Sequence, residues 1–163
     1  MTRRHLLLFG GLALVLGAAN FAIVDKERLL ANGTTVLVEL APVDPRSLIQ
    51  GDYMRLDYAI ARNGQTRNEI GSQRTGRIVV HLDDRGVAQF VRAHRGEALA
   101  RGELLLQYRV RGNRLRIGSD AYFFEEGSAA RYISARYGEL RVDDDGESVL
   151  VGLRDGELKP LND

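Results

Sequence analysis

The stretch RIVVHLDDRGVAQFVR, residues 77–92, decides the fold class. Arg77 to Leu82 and Val87 to Arg92 are short runs rich in β-branched and apolar residues, and Asp83-Asp84-Arg85-Gly86 between them is turn chemistry, with glycine where positive φ is needed. The reading is a β-hairpin. Working outward, Arg111-Gly112-Asn113 and Asp143-Asp144-Asp145-Gly146 repeat the signal, so Leu104 to Val110 pairs with Arg114 to Ile117, and Leu140 to Val142 with Ser148 to Leu153. Thr34 to Leu40, Tyr53 to Ile60 and Ala121 to Phe124 also read as strands. Between Ser128 and Tyr137 the period changes, with Ala129, Ile133 and Tyr137 four residues apart and Gly138 as a stop, which predicts one short helix. The expected domain is mainly β (α+β), an antiparallel, partly closed sheet with that helix packed against it.

The N-terminus is of another kind. From Leu6 to Val24 the sequence LLLFGGLALVLGAANFAIV carries no charge, and at ~1.5 Å rise per residue such a helix nearly crosses a ~30 Å hydrocarbon core. Arg3 and Arg4 precede it and Asp25 and Glu27 follow it, a bias that keeps the N-terminus cytoplasmic and sends the rest across. A cleaved signal peptide is the rival reading, with Gly17-Ala18-Ala19 as the small residues before a cut. Against it, the apolar run continues through Phe21, Ala22, Ile23 and Val24. Asp25 to Ala31 reads as a polar extension of the helix, and Asn32-Gly33 as a left-handed C-cap. The division is therefore residues 1–32, an anchor helix with its extension, and residues 33–163, a β-rich domain. The location that follows is single-pass in a bacterial inner membrane, with the C-terminal domain periplasmic.

Composition narrows the function classes. The 23 basic and 22 acidic residues nearly cancel, and the basic ones read as spread singly among acidic ones, so no nucleic-acid partner is expected. Without cysteine, disulfides, thiol catalysis and thiolate metal sites are excluded. His5, His81 and His94 are too scattered for a metal pair, and the aspartate run at 143–145 lacks the alternating ligands of a calcium loop. No cofactor and no metal are expected.

The most distinctive segment is APVDPRSLIQGDYMRLDY, residues 41–58. Pro42 and Pro45 end the first strand and stiffen the turn, and Gly51-Asp52 turns the chain again. Period-two alternation then sets Met54, Leu56, Tyr58 and Ile60 on a core face, and Tyr53, Arg55, Asp57 and Ala59 on the other. Asp44, Arg46, Ser47, Asp52, Tyr53, Arg55 and Tyr58 form the candidate binding loop. Each also has a structural reading: Asp and Ser brace turns through their own backbone, and opposite charges on a sheet face pair across strands. Exposed aromatics for a lectin-like or lipid-binding surface are Tyr53, Tyr122, Phe124 and Tyr132, which read equally as core.

Gly51-Asp52-Tyr53, Leu56 and Tyr58 resemble the GDYXXLXY motif that names a family of bacterial membrane-anchored proteins. Pro42 to Leu48, Tyr122 to Gly127 and Tyr137 to Leu153 are similar to other parts of its members. The family has no established activity. Its genes often neighbour multi-spanning membrane proteins, so the resemblance implies a non-catalytic accessory domain that associates with such a partner. Leu48-Ile49-Gln50-Gly51-Asp52 also resembles the nucleophile loop of type I signal peptidases, which makes an envelope hydrolase or peptidase-like enzyme the alternative. That alignment puts Val43 where the serine belongs, with Ser47 four residues late. A Ser–Lys dyad needs a lysine desolvated beside the serine. The chain has two, Lys26 at the membrane boundary and Lys159 near the C-terminus, and Arg cannot replace them as a base because it stays protonated.

Overall fold

The computed structural model describes residues 3–41, 49–50, 53–112 and 114–161. Helix α1, Arg3–Asn32, contains the whole apolar run. Among the described residues ten strands follow: β1 (Thr34–Glu39), β2 (Ile49–Gln50), β3 (Tyr53–Arg55), β4 (Thr75–Leu82), β5 (Ala88–Ala93), β6 (Glu103–Arg111), β7 (Arg114–Ile117), β8 (Ala121–Phe123), β9 (Tyr137–Val142) and β10 (Ser148–Arg154). Short helices α2 (Ala59–Arg62), α3 (Gly64–Ile70) and α4 (Ala129–Tyr132) interrupt them.

Among the described residues the strands form three antiparallel sheets, ordered β1-β9-β10, β2-β3-β8 and β5-β4-β6-β7. Three tight hairpins, β4-β5, β6-β7 and β9-β10, follow from their turn sequences. In the first and last of these an aspartate accepts two backbone N–H groups of its own turn. Asp83 takes Arg85 and Val87, both at 2.9 Å, and Asp143 takes Asp145 at 3.0 Å and Glu147 at 2.8 Å. Gly86 and Gly146 supply the positive φ beside them. The remaining pairings join segments far apart in sequence: β1 with β9, β3 with β8, β4 with β6.

The sheets are stitched at their edges. Leu37 N–H donates to Gly86 O at 3.0 Å, Leu56 N–H to Asp120 O at 2.9 Å, and Gln107 N–H to Gly146 O at 2.7 Å. Each bond satisfies an edge group that would otherwise face solvent or the core. The result is a curled half-barrel around one core with Val36, Ile78, Leu106, Ile117, Leu140 and Leu153 at its centre.

Several expectations are revised. The strand predicted for Tyr53 to Ile60 is a strand only through Arg55. Leu56 and Tyr58 stay extended against Asp120 and Leu40, and α2 begins at Ala59. Met54, Leu56, Tyr58 and Ile60 are all buried as alternation required, the last through helical geometry. Helix α3, unforeseen, is capped by the Asn63 side chain, which accepts from Gln65 N–H at 2.9 Å, and buries Thr66 and Ile70 one turn apart. The Ser128 to Tyr137 helix is one turn, with Tyr132 and Ala135 inward and Ile133 exposed. Gly138, read as a helix stop, lies inside β9.

Gly33 does not have a positive φ. It is needed for close approach instead. A Cβ there would lie 2.5 Å from Leu29 O and 3.1 Å from Val142 N, where the helix end meets β9. Leu29 is buried at this joint, and Arg141 donates to Gly33 O at 2.9 Å.

Candidate functional site

The motif segment is held by main-chain bonds on both sides. On β3, Tyr53 pairs with Gln50 and with Phe123, and Arg55 with Ala121. Alternation on β8 turns Tyr122 toward the core and Phe123 away from it. Tyr122 and Phe124 both pack on the buried Tyr132, with ring centroids 5.2 and 4.9 Å apart, and burial with the Tyr132 hydroxyl raises the Tyr122 phenol to about 12. Phe123 is 75% exposed, and its ring lies 5.7 Å from that of Tyr53. Of the aromatics named from sequence, Tyr132 is core, Tyr122 and Phe124 lean on it, and Tyr53 reaches the surface. Phe123 was missed, although the outward position between two inward ones is a period-two signal.

Beside this pair runs a groove of about 110 Å³ lined by Arg55, Asp57, Tyr58, Arg114, Arg116 and Asp120. Asp57 is paired with Arg62 of α2, Nε to Oδ2 at 2.9 Å, and not across strands. Asp120 is paired with Arg116. Tyr58 is buried, its hydroxyl 3.5 Å from Ser119 O, and burial first, then the Asp120 charge, holds the phenol neutral well above the usual tyrosine range. This groove offers guanidinium groups to a polar or anionic group at its mouth, with a locked tyrosine as its floor.

Asp44, Arg46, Ser47 and Asp52 lie outside the described residues. Their flanks are fixed beside the motif strand: Ala41 N–H donates to Asp57 O at 2.7 Å, and Ile49 is in register with Met54. The two lysines sit in surface ion pairs, Lys26 with Glu147 and Lys159 with Glu157. His81 Nδ1 contacts Gly102 O at 3.1 Å, and His94 faces Glu97 at 3.7 Å.

The family model for GDYXXLXY proteins matches residues 15–153. The chain belongs to the GDYXXLXY family. No curated protein and no solved structure matches it. Within this GDYXXLXY chain the letters of the motif divide by task. Leu56 and Tyr58 are core residues that bring the β3 segment against β1 and the β7–β8 turn. Tyr53 carries the surface aromatic pair, and the unnamed positions 55 and 57 point charge into the groove.

Proposed function

We propose that this GDYXXLXY protein is a non-catalytic accessory domain, anchored by α1 in a bacterial inner membrane with its β domain on the periplasmic side. It associates with a multi-spanning membrane protein through α1 and through the surface formed by Tyr53, Phe123 and the loop bearing Asp44, Arg46, Ser47 and Asp52. The observation that carries this reading is α1 itself. Phe9, Leu12, Leu14, Val15, Leu16, Phe21, Ile23 and Val24 are 41–75% exposed, and Phe9–Asn32 is long and apolar enough to cross a membrane. Each such side chain gains roughly 1.5–3 kcal/mol on leaving water, so hydrocarbon or another helix covers them. Asn20 is suited to that setting, because its amide donates to Leu16 O at 3.0 Å within its own helix. Arg3 and Arg4 ahead of the span have no acidic residue beside them, whereas Lys26 and Arg28 behind it alternate with Asp25 and Glu27, an asymmetry that favours the outward side.

The short joint at Leu29 to Gly33 keeps the domain close to the bilayer, which raises its effective concentration near other membrane proteins. The two lysines, both exposed and ion-paired at the surface, support a non-catalytic reading over a Ser–Lys peptidase, whose lysine must be desolvated. The test is co-purification from detergent-solubilised membranes. Phe123→Ser and Arg46→Ala are expected to leave an anchored, folded protein that no longer retains its membrane partner. Unchanged retention with both variants would overturn the binding surface, and labelling by a serine-directed probe that disappears in Ser47→Ala would restore the enzyme.

A further inference from the structure

The hairpin β6–β7 reads RVRGNRLR at residues 109–116. In register, Arg109 faces Arg116 and Arg111 faces Arg114. All four lie on the side of the sheet opposite the buried Tyr108, Leu115 and Ile117, so basic residues that sequence alone scattered form a stripe. Like charges directly opposite one another across strands destabilise a hairpin. The ladder therefore has no folding rationale of its own. Arg116 is neutralised by Asp120, but among the described residues Arg109, Arg111 and Arg114 make no ion pair, and Arg109 and Arg111 open into a groove of about 290 Å³ with Gln107, Glu147 and Ser148.

The nearby acids are already engaged. Glu147 pairs with Lys26, Asp145 with Arg77, and Asp143 caps its own turn. The Lys26 pair also fixes where the groove lies. Lys26 stands two residues beyond Val24, the last residue of the apolar run, or about 3 Å along the helix axis. The headgroup layer extends roughly 5–8 Å beyond the hydrocarbon edge. With α1 in the bilayer, Lys26 is inside that layer and the groove borders it.

We propose that the arginine face of this hairpin docks on the phosphate headgroups of an anionic bilayer and so fixes the tilt of the domain on the membrane. Guanidinium forks match phosphate oxygens in geometry as well as charge, and the phosphate nearest this face is that of the lipid. The proposal rests on the anchoring of α1 and is independent of any protein partner.

The test uses the full chain in lipid nanodiscs. Because the protein has no cysteine, Thr75→Cys, exposed and in register with Arg109, carries a single fluorophore, read against a quencher on the lipid headgroups. Quenching is expected in discs containing phosphatidylglycerol and weak in pure phosphatidylcholine. At about fivefold per arginine, replacing Arg109, Arg111 and Arg114 together with Gln lowers the ratio of docked to undocked domain on the order of a hundredfold. The corresponding Lys variant retains much of the docking, raised salt weakens it, and the Gln variant unfolds at the same or higher temperature than the parent. Equal quenching in both lipids, or in parent and Gln variant, would overturn the proposal. Equality of parent and Gln variant in pure-lipid discs is also the result expected if an acidic protein segment is the true occupant. Failure to enter discs of either composition would overturn the anchor and the docking face together, which separates that failure from a wrong assignment of the arginines.

Discussion

A methyl group at position 138 would lie 3.0 Å from Tyr58 Cε1 and 3.3 Å from its hydroxyl and from Leu150 Cδ1. Glycine there is what lets β9 pass over the motif tyrosine, which is fully enclosed and cannot swing aside. Gly138→Ala is therefore expected to cost about 1–3 kcal/mol by overpacking, seen as a lower urea midpoint with unchanged slope. A loss below ~0.5 kcal/mol would mean that the ring has room to yield. Thr66 runs the other way. Its hydroxyl is buried with no partner among the described residues, so Thr66→Val is expected to be neutral or stabilising by up to about 1 kcal/mol in the same experiment. The inward set Met54, Leu56 and Tyr58 was legible from alternation alone, because burial of every second residue needs only extended backbone, while Ile60 is inward through the helix that follows. That Gly138 exists for Tyr58 was not legible, since the two lie 80 positions apart in the sequence.

Helix α1 is coupled to the sheet through Gly33, where a Cβ would strike the Leu29 carbonyl, a backbone atom with no rotamer to change. Gly33→Ala is expected to loosen this joint and raise hydrogen exchange at the start of β1, with the β4–β6 amides unaffected. Protection unchanged at β1 would show that the joint tolerates the methyl. On the far side, Glu103 at the start of β6 takes two hydrogen bonds from Arg92 on β5 and one from Ala100 N–H, which hold its carboxyl down to about 2 from an ordinary 4.5. Because the folded value is the lower one, the stability this pair adds is present above pH 4.5 and is lost as pH falls toward 2. The gap in melting temperature between the parent and Glu103→Gln is expected to be constant above that range and to close within it. A gap that persists at pH 2 would assign the loss to packing. Elements with local rules were readable: three hairpins from their Gly-bearing turns, and the anchor from its charge-free run. The pairings β1-β9 and β3-β8 were not, because register between distant strands is set by the whole core. Helices α2 and α3 were hidden by an alternating pattern that a helix continued, although Asn63 before Gly64 with Thr66 and Ile70 one turn apart was a usable capping signal.

At the scale of the whole molecule, α1 decides where everything else stands. Among the described residues it is the one helix long and apolar enough to span a membrane, and Leu29, the Arg141 bond to Gly33 and the Lys26–Glu147 pair tie its end to the β9–β10 hairpin. Whichever side the end of α1 emerges on, the three sheets follow as one unit, carrying the Tyr53–Phe123 surface and the arginine face with them. The proposed side rests on Arg3 and Arg4 ahead of the apolar run, where no acidic residue offsets them, against the mixed charges of Asp25 to Arg28 behind it. Ser72 lies in an exposed turn after α3, so in a chain without cysteine Ser72→Cys is a single reporter of that side. It is expected to react with an impermeant maleimide in intact spheroplasts, and replacing Arg3 and Arg4 with Glu is expected to shift part of the population to a protected form as the charge bias reverses. Reaction of Ser72→Cys only after permeabilisation would put the β domain in the cytoplasm, and both proposed surfaces would then face the opposite leaflet and a different set of partners.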